Sequence, residues 1–504
     1  MSTMGVDVGT TGCKAGVFDS EGNLRALAYR EYPLVSPEPG WAEIDSAQVC
    51  RLCLEAIREA AGAWREDPVR ALGISCQGEA FTPIDGDGNI LGNAMVSSDA
   101  RAAGLVGPWS DRFGRDRLYQ VTGHTPHPMF TIFKLLWLKQ NRPEVWKAAR
   151  RFLCFEELVQ SRLGIQPAIS WPLAGRTMMF NVRTHQWDGD ILAAVELDSS
   201  RLARPLPSGE VVDTIPRSVA ESLGLPEGVK VVAGGHDQPC GALGAGVVTP
   251  GRAMYATGTV ECICPAFDRP ILDEALFRNN LCTYDYTIPG TYTTVAFSLT
   301  GGNLLKWFRD QWAAVEVEHA RRSGADPYDL LLAQMPTEPS DLLVLPYFTP
   351  SGTPNFDAET PGAIVGLRLS STRPQVLRAL LEGVAMEMRL NVEILDAAGL
   401  RIDEFLAIGG GAKNPALTQL KADVLGRPIT TLSVTEAACL GAAMLAAAAD
   451  QGASPRQLVE TWVKPTSVVE PDNRRASVYS ERFTSYKELY PTIKEFTRKS
   501  RTTA

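Results

Sequence analysis

The chain opens with two short apolar runs separated by a tight turn. Residues 4–8 are apolar apart from one carboxylate, Asp7. Gly9-Thr10-Thr11-Gly12 then turns on small residues and hydroxyls, and residues 15–18 restart the apolar pattern. This reads as strand, turn, strand. Residues 23–32 read as a third strand, and 33–40 as a proline-rich loop. Residues 47–63 have helical spacing, with Asp45 placed to cap the first turn. Residues 69–76 form the continuous apolar run of a buried strand; 80–85 read as a strand entering Gly86-Asp87-Gly88-Asn89, a hairpin signal. Residues 115–230 read as mostly helical, with an amphipathic helix over 133–141 and another starting at Pro143. A buried strand over 229–234 ends in Gly235-His236-Asp237-Gln238, and the small residues 241–246 suggest a hinge.

From Gly251 the pattern starts again. A strand over 253–257 meets the turn Gly258-Thr259 and an apolar restart at 260–264. A strand at 294–298 leads through a second glycine turn, 299–302, into a helix at 304–309. A long helix spans 374–396, and a strand over 404–408 runs into Gly409-Gly410-Gly411 and a helix over 416–425. The alanine-rich helix over 435–449 contains Gly441, a position explained by close packing against another element. Two halves that each open on a Gly-Thr hairpin predict an internally duplicated α/β architecture.

Length sharpens this picture. A chain of 504 residues is too long for one ordinary core, so two domains are expected, 1–246 and 247–504. The net charge of −9, with no basic patch, argues against a nucleic-acid or anionic-membrane partner but leaves small anionic ligands open. No segment approaches about 18 continuous apolar residues and the start lacks a leader pattern, so a cytoplasmic location is expected. Ten cysteines in such a chain are no disulfide framework. Cys50 and Cys53 lack a second pair, Cys262 and Cys264 have no histidine nearby, and no histidines fall in a metal-ligand spacing. Zinc chemistry is therefore excluded, and buried thiols are expected.

The glycine turns carry the candidate chemistry. A Gly-Thr-Thr-Gly turn can surround a phosphate with backbone N–H groups and hydroxyls, while Asp7 holds a hydrated Mg²⁺ against it. Alone, the stretch fits an ordinary hairpin with one buried polar residue equally well. The set is stronger: each turn follows an apolar strand, several open helices, and Asp7 and Asp237 stand at strand ends. One carboxylate for a metal and one for a base are what phosphoryl transfer to an alcohol requires. The alternative for Asp237 is a helix cap. Strand alternation points His236 away from Asp237, so His236 is read as structural.

These residues resemble the phosphate-binding hairpin of the actin/Hsp70/sugar-kinase superfamily and, within it, the FGGY carbohydrate kinases. Met129, Thr131, Lys134, Leu135, Trp137, Leu138, Gln140 and Asn141 match one characteristic motif of that family. Gly362, Ile364, Gly366 and Leu367, continuing through Gln375-Val376 to Glu382, match a second apart from Leu380. The 234–238 segment resembles the one holding the catalytic base, Gly410-Gly411 with Asn414 the adenosine loop, and residues 479–490 the C-terminal helix. The resemblance implies an actin-like, ribonuclease H-like two-domain fold with a deep cleft, and ATP with Mg²⁺ as cofactors. It implies Asp7 for the metal, Asp237 as general base, and Gln77, Glu79, Asp99 and Arg101 facing the sugar. Thr10, Thr11, Gly258, Thr259, Gly302, Lys306, Gly410, Gly411 and Asn414 fall to the nucleotide.

The substrate hints disagree. Xylulokinases usually have Gln-Met-His-Gly where this chain has Gln77-Gly78-Glu79-Ala80; glycerol kinases have an Arg-Glu pair, of which only Glu79 is present. Ser97-Ser98 replace the aromatic that commonly precedes Asp-x-Arg, and His127-Pro128-Met129 is reminiscent of gluconokinases. The expectation is a kinase for a ketopentose such as xylulose, although the replaced aromatic and histidine point to a differently shaped sugar. A gluconokinase or other sugar-acid or polyol kinase is the alternative. An actin- or Hsp70-like nucleotide switch is less favoured, since a switch needs no sugar pocket, and a catalytically dead sugar sensor is disfavoured by the presence of both Asp7 and Asp237. A homodimer is left open.

Overall fold

The structure is a computed structural model that describes residues 1–502. Two mixed β-sheets dominate it, and they repeat one plan. In the first, strand Ser2–Val8 pairs antiparallel with Gly12–Phe18 and parallel with Val69–Cys76; Gly12–Phe18 pairs with Leu24–Glu31, and Val69–Cys76 with Lys230–His236. In the second, Gly251–Thr257 pairs antiparallel with Glu261–Phe267 and parallel with Ile402–Ile408, which pairs in turn with Ile429–Leu432. The continuous apolar runs of Val69–Cys76 and Lys230–His236 reflect strands covered on both faces. Each sheet thus opens on a hairpin whose first strand lies in the sheet interior, which fixes the Gly-Thr turn at a strand end facing the partner half.

The halves meet along two helices. Asp237–Gly244 continues directly from strand Lys230–His236, and Ala437–Gln451 lies against it and against the first sheet. A Cβ on Gly441 would come within 1.9 Å of the Cys240 carbonyl oxygen, and one on Gly244 within 1.9 Å of that of Ala437. Small residues let the two backbones approach closely, as the position of Gly441 suggested.

Several expected elements differ. Strand Phe81–Ile84 does turn back across residues 86–89, through an antiparallel Ile84–Ile90 bridge and bonds from the Asp85 N–H to the Asn89 carbonyl and from the Leu91 N–H to that of Pro83, but the returning segment forms no strand. Phe81–Ile84 pairs with Arg151–Cys154 instead, inside a region expected to be helical. Burial decides the choice: Phe152, Leu153 and Cys154 offer a continuous buried face, and Phe81 packs edge-on to Phe152. Residues 241–246 are not a loop, since the helix persists to Gly244. Asp45 caps Ser46–Ala63 as expected, accepting from the N–H groups of Ala47 and Gln48. All ten cysteines are free and buried. Among the described residues, no helix is long and apolar enough to cross a membrane.

The helix seam makes a direct prediction. Gly441→Ala should destabilise the protein by about 1–3 kcal/mol through overpacking, read as a lower denaturant midpoint. An unchanged midpoint would show that the helices shift apart freely.

Candidate active site

The first hairpin presents Asp7 and the loop of residues 9–12 to the seam between the halves. Asp7 accepts from Ser75 Oγ at 2.9 Å, and Lys14, its cross-strand neighbour, pairs with Glu436 of the second half at 2.6 Å. Burial pushes the Asp7 pKa up to about 6, with Ser75 and Lys14 opposing and Glu436 adding to the rise. Lys14 is engaged by Glu436, so Asp7 remains a buried oxygen donor that a hydrated divalent cation suits. Gln77 braces the loop: its carbonyl accepts from Thr10 Oγ1 and its amide donates to the Gly9 carbonyl, both at 3.1 Å. Its amide is thus turned to the hairpin. Thr11 is exposed at the loop tip, its carbonyl accepting from the Tyr32 N–H.

The glycine turns of the second half converge. The Gly302 N–H donates to the Gly258 carbonyl at 2.9 Å and the Asn303 N–H to that of Thr259 at 3.1 Å. Gly411 sits against the Thr257 side chain, where a Cβ would come within 2.2 Å. Lys421 supports this cluster from below, donating to Thr257 Oγ1 at 2.7 Å and to Glu261 at 2.6 Å. Gly410 lies on the short 3₁₀ turn Gly410–Lys413. Asn414 caps helix Pro415–Leu425 by accepting from the Ala416 and Leu417 N–H groups. Lys306 does not turn to these loops; its ammonium lies 2.7 Å from Asp310 on its own helix.

The sugar-facing set divides. Asp99 is fully enclosed: its oxygens take the Ala42 N–H at 2.7 Å, the Arg101 N–H and the Arg101 guanidinium. Arg101 also pairs with Glu43, and its guanidinium lies 3.8 Å from the centre of the Trp41 ring. No oxygen of Asp99 is left for a sugar. In this structure the pair is buried. Glu79 behaves otherwise. Its backbone adopts φ 64°, an uncommon left-handed conformation for a non-glycine residue. Two motif residues hold that turn: Thr131 Oγ1 donates to the Glu79 carbonyl at 2.9 Å and Lys134 Nζ at 3.4 Å. The Glu79 carboxylate then accepts from Ser97 Oγ at 2.6 Å and from Arg176 Nε at 2.5 Å.

Asp237 is the first residue of its helix, at the end of a bulged strand. The register breaks between Val232 and Gly235, and the freed Gly234 N–H donates to buried Glu156 at 2.8 Å. Glu156 also takes the Ser170 N–H and hydroxyl, at 3.0 and 2.6 Å, and so anchors the bulge. Burial, then the charges of Asp7 and Glu79, push the Asp237 pKa up to about 7. Carboxylates from three elements therefore converge on one cleft.

Comparison with known proteins agrees with this geometry. Residues 2–244 match the N-terminal domain of the FGGY family of carbohydrate kinases and residues 253–449 its C-terminal domain. The chain belongs to the FGGY family of carbohydrate kinases. It is 26% identical to a xylulose kinase of Bacillus subtilis over 98% of this chain and 97% of that one. It is 26% identical to a gluconokinase of Bacillus licheniformis over 88% and 86% of the two chains. The crystal structure of xylulose kinase from Rhodospirillum rubrum superposes with a TM-score of 0.89 at 26% identity, covering 99% of this chain and 100% of that one. The duplicated sheets are thus the two-domain actin-like ATPase fold, and the activity is ATP-dependent phosphorylation of a sugar hydroxyl.

In this FGGY kinase, two residues near Asp237, Arg176 and Tyr284, escape a reading of the sequence, and His236 sits otherwise than strand alternation suggested. Arg176 reaches Glu79 from nearly 100 positions away, and its guanidinium lies 5.1 Å from the centre of the Phe130 ring. His236 lies with Nε2 3.1 Å from Asp237 Oδ1, so the strand ends before alternation can turn it away. Tyr284, from the second half, bonds the other ring nitrogen of His236. Arg176 and Tyr284 carry no local signal; Gly175-Arg176-Thr177 follows no periodic pattern.

A carboxylate base works ionised. With the Asp237 pKa raised to about 7, kcat/KM should fall as pH drops through that value. Glu79→Gln removes a like charge and should move the acid limb to lower pH. A limb left in place by Glu79→Gln would break the proposed electrostatic link.

Proposed function

We propose that this chain phosphorylates a neutral ketopentose of the xylulose type, with Asp237 as general base. The observation that carries the base assignment is the half-exposed carboxylate at the cleft, raised to about 7 beside Asp7 and Glu79. A base titrating near the working pH can take a hydroxyl proton and still be ionised beforehand. Asp237 accepts the proton of one sugar hydroxyl as that oxygen bonds to the γ-phosphorus. The bond to the β–γ bridging oxygen breaks, and ADP carries away the electron pair. N–H groups of the Thr10-Thr11 and Gly258-Thr259 turns hold the phosphates in line from the two sides. Gly302, Gly410, Gly411 and Asn414 border the nucleotide. Asp7 is the residue that would hold Mg²⁺ through water, and the ion, when bound, offsets phosphate charge. In this reading residues 1–246 carry the base and sugar pocket, residues 247–504 the nucleotide side, and the enzyme works in the cytoplasm.

The preference for a neutral sugar rests on where the cations are. Arg176 pairs with Glu79, Arg101 with Asp99 and Glu43, Lys14 with Glu436, and Lys134 with the backbone carbonyls of Glu79 and Met95. A sugar carboxylate entering this cleft would meet Asp237 and Glu79, while each of these four cations is already held by the groups just named. The names of the relatives, xylulose kinase and gluconokinase, leave both classes open; the charges favour the first.

Two measurements test this. Asp237→Asn should lower sugar-dependent ADP production by about 10²–10⁴-fold while ATP binding, measured by calorimetry, persists; undiminished turnover would remove Asp237 from the mechanism. A coupled ADP-release screen should give D-xylulose or a related ketopentose a kcat/KM at least about 100-fold above gluconate. Faster turnover of an aldonate would overturn the neutral-sugar reading.

A further inference from the structure

The two hairpins of the duplicated sheets are braced differently. In each sheet a strand parallel to the first hairpin strand ends beside the turn: Val69–Cys76 in the first half, Ile402–Ile408 in the second. The residue after the first is Gln77, whose amide bonds the turn through Thr10 Oγ1 and the Gly9 carbonyl. The residue after the second is Gly409, where a Cβ would come within 2.5 Å of the Thr257 carbonyl oxygen. A side-chain brace has no room at that position.

Lys421 braces the second hairpin from another element. Its helix, Pro415–Leu425, follows the short turn Gly410–Lys413 and is capped by Asn414. The buried ammonium donates to Thr257 Oγ1 at 2.7 Å and to Glu261 Oε1 at 2.6 Å, and lies 4.5 Å from the centre of the Tyr255 ring. Thr257 and Glu261 are the last cross-strand pair before the Gly258-Thr259 turn, so one ammonium clamps both sides of it. The Tyr255 hydroxyl donates to the other Glu261 oxygen at 2.6 Å. Two glycine turns press on the same pair. A Cβ on Gly411 would come within 2.2 Å of Thr257 Cγ2, and one on Gly301 within 2.9 Å of Glu261 Cγ.

Burial pulls the Lys421 pKa down, and Glu261 opposes the fall. Taking an ammonium and a carboxylate out of water costs desolvation that their attraction does little more than offset, so stability alone is a poor account of the pair. Directed bonds from one charged donor do supply a fixed spacing between helix and hairpin. We propose that Lys421 and Glu261 are positioning residues for the nucleotide, setting the Gly258-Thr259 turn against the loop of residues 409–414 through Thr257. The proposal rests on the reading of those turns as the nucleotide side.

The test is ADP binding by calorimetry and steady-state kinetics of the full chain with ATP, Mg²⁺ and the best acceptor of the sugar screen. Lys421→Met keeps most of the side-chain volume and removes the ammonium. It should raise the ADP Kd and the ATP KM by about 10- to 100-fold, the loss expected for bonds to a charged donor, with the sugar KM within about threefold of wild type. It also strands the Glu261 carboxylate, so the denaturant midpoint should fall. Lys421→Met/Glu261→Gln removes that stranded charge: the midpoint should recover most of the loss while ADP binding stays weak. ADP affinity that recovers together with the midpoint overturns the proposal. So does wild-type ADP affinity in Lys421→Met, or an equal rise in the KM of sugar and ATP. Should Lys421→Met not fold, the double variant and Thr257→Val decide. Thr257→Val keeps the methyl against Gly411 but loses the acceptor, and should raise the ADP Kd by about 10-fold; wild-type ADP affinity in both overturns the proposal. Hydrogen exchange of the wild-type chain with ADP and Mg²⁺ separates the nucleotide site from its brace, with slower exchange expected over residues 257–261 and 409–414. No change there removes the nucleotide reading and the proposal with it. Protection there, with unaltered ADP binding in the variants, removes the positioning role alone.

Discussion

The contact on which the site depends is the close crossing of helices Asp237–Gly244 and Ala437–Gln451. Gly441 lies over Cys240 and Gly244 over Ala437, so neither helix can slide without driving a backbone carbonyl into its neighbour. Each helix carries a carboxylate at its start: Asp237 is the first residue of one, and Glu436 immediately precedes the other. Fixing the helices against each other thus fixes both charges relative to the hairpin, where Lys14 meets Glu436 and Asp7 lies beside the pair. A packing constraint made of small side chains becomes an electrostatic one.

That electrostatic arrangement is costly without ligands. Asp7 and Asp237 are gathered where burial disfavours ionisation, which raises the pKa of both. The protein stabilises the cluster from behind. Ser75 donates to Asp7, Arg176 to Glu79, and the bulge before Asp237 is held by Glu156. A carboxylate kept near neutrality by its surroundings is poised to exchange a proton, which is the property a kinase acting on an alcohol needs.

Much of the nucleotide side was legible in the sequence because its chemistry is local. A phosphate turn needs glycine and threonine at a strand end, and that signal lies in consecutive residues, as at Gly9–Gly12 and Gly258-Thr259. Asp7 and Asp237 stood out as candidates for the same reason, each closing an apolar run. Local reading had limits there too, since Lys306 answers Asp310 on its own helix. The sugar side was less legible. The contacts of Gln77 with the hairpin and of Asp99 with Arg101 join residues that no local pattern links to one another.

Arg176 shows why composition near a motif misleads about substrate. Gly78 stands where glycerol kinases carry the arginine of an Arg-Glu pair, so the sequence appeared to lack that cation. A Cβ on Gly78 would lie 3.3 Å from Arg176 Nε, and it is this guanidinium that pairs with Glu79. The ion pair is present but assembled from a distant turn, and the absent side chain is what admits it. Moving the arginine also changes its role. Delivered from its own residue's neighbour, a guanidinium would share one backbone turn with the carboxylate; delivered from position 176, it links that turn to the segment beside Tyr284, over whose ring it lies at 5.6 Å. The surroundings of Glu79 therefore depend on how three separate segments pack, and substitutions that keep every motif intact can still reshape them.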